Sequence, residues 1–365
     1  MLRVIKRMQW NRKSCSLLLL MMTMILLSAC GGEKELRSEP NNKGDVGEII
    51  DPVTPVSEPE QGFKAPFTGL KLEEKTEARP IAVMVNNYKA ARPQSGLTNA
   101  DIIWEVLAEG GITRLVAIFQ SYEGTERIGP IRSIRPYLIE MGEMYKAVLV
   151  HAGASNDGYA ILQQQRKEHL DEISNAGPFF WREKFRKPPH NLYSNLEKMR
   201  EGAQQKKYTE QVQIPSMTFV AEGEVPPATA AGVKAEEIDL YFSLKNYHVS
   251  YTYDANTKLY SRFINKEPHI DLDNEQQLTA SNLVVLGTRH RTLDDVGRLS
   301  VDLTGGGPAM LFQEGKMVEA EWVRSSADDI IRIMKDGQEL PFVPGKTYYH
   351  LVPLTPSFED HVTIG

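Results

Sequence analysis

Beyond Cys30 this chain has no cysteine. Of its 365 residues only Cys15 and Cys30 are cysteines, and both stand within the first thirty. If the leader is removed and Cys30 is modified, the folded part holds neither a disulfide nor a thiolate, so a cysteine nucleophile and a Cys-based zinc site are excluded. About 300 residues must therefore hold together without covalent cross-links, a length that suits two domains.

The first thirty residues explain where the cysteines went. A basic head (Arg3, Lys6, Arg7, Arg12, Lys13) precedes 11 almost wholly apolar residues, 17–27, and then Ser28 and Ala29 lead into Cys30. This is the pattern of a secretory signal, too short for the roughly 20 residues a spanning helix needs. The ending "LSAC" before Gly31 and Gly32 resembles the lipobox of bacterial lipoproteins. That resemblance implies cleavage ahead of Cys30 and a diacylglyceryl group on its thiol. Two acyl chains hold a protein on a membrane where one holds it only marginally. Residues 1–30 are thus read as a lipoprotein signal peptide, and the expected location is the outer face of the cell membrane. The alternative is an ordinary signal peptide in which Cys30 is incidental.

Residues 31–62 are rich in Pro, Glu, Gly, Ser and Asn and lack aromatic residues. Such a segment buries too little apolar surface to offset the entropy of ordering, and it reads as a disordered tether with a reach of roughly 30 Å. Loss of the leader removes five basic and no acidic residues, taking the net charge from -6 to -11. Bulk electrostatics of that sign disfavour nucleic acid as a partner, because phosphate backbones are bound by Lys and Arg displacing counterions.

A change of pattern near residue 210 divides the remainder. In 63–210, strand-like runs (80–87, 100–108, 113–121, 147–155) alternate with helical ones (136–146, 159–167, 194–207), which predicts an α/β layer with a mixed, largely buried sheet. In 211–365, runs at 248–255, 258–265, 282–290, 298–324 and 329–354 are separated by turn signals, predicting a mainly antiparallel β region. The class expected for the whole is α/β or α+β.

The strings "ARPQSGL" (91–97), "EGGITR" (109–114), "GPIRSIRPY" (129–137), "HAGAS" (151–155), "PPHNLYS" (188–194) and "DGQELPFVPGKTYYHLVP" (336–353) carry a resemblance. They are similar to the YerB-like family of predicted lipoproteins of Gram-positive bacteria, over nearly all of the mature chain and in two regions. The resemblance implies location and architecture. It supplies no substrate, cofactor or catalytic residue.

Three segments hold the candidate chemistry. In "RIGPIRSIRPY" (127–137), Ser133 is a good N-cap and Pro136 suits a first helical turn, so Arg132 and Arg135, with Arg127 nearby, would gather at a helix amino terminus that already favours anions. Guanidiniums so placed can grip phosphate or carboxylate in bidentate fashion. The alternative is that they pair with internal acids such as Asp101, Glu105 or Glu109. In "VLVHAGASNDG" (148–158), a strand ends at His151, a candidate general base with Asp157 as its orienting carboxylate, while Ser155 is a cap or hydroxyl ligand; the G-x-S-x-G elbow of α/β hydrolases is absent. In "FFWREKFRKPPHNLYS" (179–194), Arg182, Arg186, His190, Asn191 and Tyr193 are interleaved with aromatic rings able to hold a sugar or planar ligand, or else to pack down on the sheet.

Weaker patterns exclude more than they suggest. "DLDNE" (271–275) lacks the glycine of a calcium loop and reads as a solvated turn, "TGGGPAM" (304–310) lacks the Gly-Lys-Ser/Thr of a phosphate loop, and no H-E-x-x-H is present, so neither a metal nor a cofactor is expected. Two function classes follow. In the first, an arginine-lined cleft binds an anionic envelope polymer or an envelope protein without turnover. In the second, His151 or His190 serves as acid/base in a hydrolase or transferase acting on a phosphodiester or glycosidic bond. A scaffold for a membrane complex is the third reading, and it would require a large exposed apolar patch instead.

Overall fold

The computed structural model describes residues 62–243 and 246–365, and the expected leader and most of the expected tether lie outside that range. The predicted strands and helices form at the expected places. In chain order they are β1 (Ile81–Asn86), β2 (Ile102–Leu107), β3 (Thr113–Phe119), α1 (Pro136–Glu143), β4 (Val148–His151), α2 (Asn156–Gln164), β5 (His169–Asp171) and α3 (Leu196–Gln205). There follow β6 (Glu237–Tyr241), β7 (His248–Asp254), β8 (Leu259–Ile264), β9 (Asn282–Thr288), β10 (Gly305–Gln313), β11 (Lys316–Arg324), β12 (Arg332–Lys335), β13 (Thr347–Pro353) and β14 (Val362–Ile364). The chain is α+β, with a mixed sheet in its first part and antiparallel pairing dominant in its second.

The principal sheet runs β12-β11-β10-β9-β13-β2-β3-β1-β4-β5, extended by short edge pairings. The position expected to divide the chain, near residue 210, lies between α3 and β6, and strands from both sides of it enter this one sheet. The join is β13, which pairs in parallel with β9 on one side (Thr347 opposite Asn282) and with β2 on the other (Thr347 opposite Ile102). Alternation of side chains along the strands splits the core into two layers. Ala82 and Met84 of β1 face Tyr137, Leu138 and Met141 of α1, while Ile81, Val83 and Val85 face Leu196 and Met199 of α3 and the residues of a second sheet. That second sheet, ordered β8-β7-β6-β14, is antiparallel throughout. With both faces covered, β1, β2 and β3 are buried along their whole length, which is why each reads as a largely apolar run, broken by Glu105 in β2 and opened by Thr113 and Arg114 in β3.

Where α1 begins is a correction to the sequence reading. Its capping position is Arg135 and not Ser133, because Pro136 takes the first helical position, and no side chain caps the helix. Ser133 instead presents its carbonyl to Arg114. At α2 the expected cap does form: Ser155 Oγ accepts from the amide of Gly158 at 3.2 Å. The 271–275 segment is a turn, as expected, exposed at Asp273, Asn274 and Glu275 but anchored at its first residue. Asp271 is buried and accepts from the amide and hydroxyl of Thr98 at 3.1 and 3.2 Å, while Leu272 donates to the Gln94 carbonyl, tying the second part of the chain to the first.

Candidate functional site

At the start of β3, Thr113 and Arg114 point to opposite faces of the sheet, and a different polar cluster has formed on each. On the face of α1, Arg114 is buried. Its Nη1 donates to the Ser133 carbonyl at 2.9 Å, and its Nε is shielded from water with no partner among the described residues. Arg132 also has a buried Nε without a partner, and Arg135 pairs through its Nε with Glu109 while its Nη1 donates to the Ile134 carbonyl at 2.8 Å. Burial, then the charges of Arg132 and Arg135, push Arg114 down to about 10. Burial followed by Arg135 lowers Arg132 as well, against a partial offset from Glu109. Burial pulls the Glu109 carboxyl upward, but its bond to Arg135 and that cation's charge prevail and hold it below its ordinary value. Among the described residues, three guanidiniums thus act on one another with Glu109 as the carboxylate between them.

His190 stands beside this cluster and its tautomer is fixed. Asn86 Oδ1 accepts from the amide of Tyr88 at 3.0 Å, so Asn86 Nδ2 must donate to His190 Nδ1 at 2.8 Å, leaving the imidazole proton on Nε2. Burial, Arg132 and Arg186 all lower the His190 pKa. The ring, stacked on Tyr88 with centroids 5.3 Å apart, is therefore a neutral donor at its outer edge.

The other expected site residues have internal employment. Arg127 is held by Asp273 (Nε to Oδ2, 3.1 Å) and Glu183 (3.3 Å), with its guanidinium 5.4 Å from the Phe185 ring and 5.8 Å from that of Tyr193. Arg182 bonds Glu172 at 3.0 Å and the Asn191 side chain at 3.2 Å, and Asn191 in turn donates to the Glu183 carbonyl. Arg186 donates to the carbonyls of Ala91 and Pro93, so the aromatic segment braces the 91–93 loop. Tyr193 is buried and its hydroxyl has no partner among the described residues.

His151 lies elsewhere. It is buried, its Nδ1 donates to the Gly153 carbonyl at 3.0 Å, and its Nε2 meets His169 Nδ1 at 3.0 Å. The carboxylate near it is Asp171, 3.7 Å away, whereas Asp157 stands exposed on the first turn of α2. Burial, offset in part by Asp171, pushes His151 down to about 4. Asp171 is itself committed to the amides of Gly153 and Ile173 and the hydroxyls of Tyr159 and Ser174, the signature of a loop-building carboxylate.

On the opposite face of β3 lies a cluster that sequence reasoning missed. Glu105, wholly buried on β2, accepts from Thr113 at 2.8 Å, Tyr247 at 2.5 Å and Arg262 at 2.7 Å, and its Oε2 lies 3.2 Å from His350 Nδ1. Arg262 donates to Tyr251 Oη at 2.5 Å, so the tyrosine proton goes to His350 Nε2 at 2.9 Å and the neutral imidazole carries its own proton on Nδ1, close to Glu105 but not hydrogen-bonded to it. Arg262 Nε also donates to His269 Nδ1 at 2.9 Å, which directs the His269 Nε2–H to Gln94 Oε1 at 2.7 Å. Burial drives Glu105 upward, yet Arg262 and His350 outweigh it and hold the carboxyl far below its ordinary range. No local pattern announces this network, since Glu105 and Arg262 stand 157 positions apart.

Comparison with known proteins fits this architecture. Residues 67–209 match the model described as "Protein of unknown function (DUF3048) N-terminal domain", and residues 238–349 match its C-terminal counterpart. A relative from Bacillus subtilis (strain 168), named "Putative lipoprotein YerB", is 37% identical over 292 residues, covering 80% of this chain and 86% of the relative. The chain belongs to the DUF3048 family. The crystal structure of YerB from Bacillus subtilis superimposes with a TM-score of 0.75 at 35% identity, covering 83% of this chain and 99% of that one. The family's two parts meet on either side of the β13–β2 pairing. Among the described residues, no helix is long and apolar enough to cross a membrane, and no group of His, Cys, Asp or Glu is arranged to hold a metal.

Proposed function

We propose that this chain is a membrane-anchored extracytoplasmic binding protein, tethered through lipidated Cys30, which holds an anionic envelope ligand at Arg114, Arg132 and Arg135. The observation that carries the reading is that Arg114 and Arg132 bury guanidinium atoms with donors unspent and no carboxylate of their own. A buried cation normally spends its donors and is paired, so unspent ones in a shared field favour a guest that brings the missing negative charge. His190 adds a neutral Nε2–H at the rim, and α1 contributes the amide end of its dipole. Arg127 is left out of the ligand set because Asp273 and Glu183 already satisfy it.

The histidines favour binding without turnover over catalysis. A general base needs an unprotonated nitrogen facing the substrate. His190 spends its free nitrogen on Asn86, and His151 is buried between Gly153 and His169. The membrane location rests on the leader of residues 1–30 and on the lipoprotein relative.

The test is titration of the full chain in detergent with a glycerol phosphate oligomer at two salt concentrations. Binding should weaken with added salt, and Arg132→Gln should weaken it roughly tenfold or more, the scale of one charge-assisted hydrogen bond. Equal affinity in wild type and Arg132→Gln would sink the proposal.

A further inference from the structure

We propose that Lys89 and Arg92 form a second anion site, on the other face of β3, which takes a phosphate or carboxylate group carried on a small sugar-sized body. Two adjoining cavities, of about 230 and 510 Å³, share Lys89, Arg92 and Asn265 in their walls. Together they reach the size of ordinary small-ligand sites, roughly 300 to 1,000 Å³. One wall comes from the loop after β1 and the other from the turn after β8, so the groove lies where the two parts of the chain meet.

Arg92 is the central group. Its guanidinium lies over the Tyr247 ring, 5.4 Å from the centroid, and its Nε is shielded from water with no partner among the described residues. The nearest buried carboxylate, Glu105, already accepts from Arg262. Glu267, on the wall of the larger cavity, is exposed and solvated. Burial lowers the Arg92 pKa, with Glu105 and Tyr247 offsetting part of that cost. The loop is held from behind by Arg186 on the Ala91 and Pro93 carbonyls, so Arg92 is presented on a fixed backbone.

The neutral groups nearby are mostly spent, and this sets the ligand class. Asn265 accepts from the amide of His248 and donates to the Asn246 carbonyl, each at 2.9 Å. Asn87 is engaged with Glu105, Thr113 and Tyr247. What remains open is positive charge from Lys89, which is exposed, and from Arg92, beside the exposed ring of Tyr88. Recognition therefore falls on an anionic group, while the ring offers a flat surface for its carrier. Thr113 lines the smaller cavity and Arg114 points the other way, so the two groups of cations lie on opposite faces of β3, although Tyr88 of this groove stacks on His190 beside the arginine cluster.

Calorimetric titration of the full chain in detergent with glucose 1-phosphate and with glucuronic acid tests the site and separates its two anion sources. At least one compound should bind saturably, Lys89→Ala should weaken it roughly tenfold and Arg92→Gln by more. The exposed Lys89 can be replaced without touching the core, which keeps the test decisive if Arg92→Gln folds poorly. Absence of binding by both compounds, unchanged affinity in Lys89→Ala, or loss in Arg132→Gln as large as in Arg92→Gln would each overturn the assignment.

Discussion

Arg262 and Arg132 are the same residue type on opposite faces of one sheet, and they live in opposite circumstances. Arg262 is buried with its donors spent on Glu105, Tyr251 and His269. Arg132 is half-buried beside two other guanidiniums and has an unspent Nε. Burial alone thus says little about what an arginine is for. The completeness of its acceptors separates a structural cation, whose loss breaks the fold, from one with donors left over, for which a ligand-binding role is proposed.

The comparison breaks most visibly at Arg262. Replacing it by Ala leaves Glu105 as a buried charge with no cation of comparable strength, a change that typically costs about 3–5 kcal/mol. Denaturant unfolding should show a midpoint drop of that scale. Because Glu105 and His350 come from β2 and β13, the loss should be felt at the join between the two parts of the sheet, read as faster amide exchange there. A loss below about 1 kcal/mol would mean that the network is idle.

Acid sharpens the contrast next. His151 in the folded protein is pushed down to about 4 from an ordinary value of 6.5. A histidine with a depressed folded pKa contributes stability that is present above the unfolded value and is lost as pH falls through the window between 6.5 and 4. The loss from this one group approaches the order of 3 kcal/mol by pH 4. His151→Asn should flatten that part of the stability profile. An unchanged slope would place the acid sensitivity elsewhere. Glu105, also depressed when folded, contributes above its unfolded value, near 4.5, and its loss begins only below that, so the two groups are separable by pH.

A smaller effect is expected at Tyr247. Tyr247→Phe removes one of several donors to Glu105 while Arg262, Thr113 and Asn87 remain, so a cost of about 1–2 kcal/mol is expected, with Arg92 keeping a ring beneath it. A loss as large as that of Arg262→Ala would show the hydroxyl to be as important as the cation.

Which of these residues could be read in advance depended on the range of the interaction. Strands and helices are set by local periodicity, and the apolar runs of β1, β2 and β3 announced themselves. The cap of α1 was misplaced by two residues because Pro136 fixes the boundary more strongly than a serine side chain attracts it. The insertion of β13 beside β2 was illegible, since a parallel pairing between strands some 240 positions apart leaves no mark near either. The same holds for Arg127, whose partner Asp273 is 146 positions away. Arg114 was not among the residues singled out from the sequence, because only the fold shows that this cation near the start of β3 lies beside Arg132.

The smallest stability effect expected is the most discriminating, because of its sign. At neutral pH Arg132 is charged both folded and unfolded, and its lowered folded pKa means that folding carries the cost of burying that charge and of holding it beside Arg135. Arg132→Gln removes the charge and keeps most of the side-chain length, so stability should stay within about 0.5 kcal/mol of wild type and shift upward. Arg182→Ala is the control: it loses a half-exposed pair with Glu172 worth at most about 1 kcal/mol, in the destabilising direction. A protein that retains an arginine at a cost to its own stability is spending that cost on something other than folding, and a clear destabilisation by Arg132→Gln would return this residue to the structural class of Arg262.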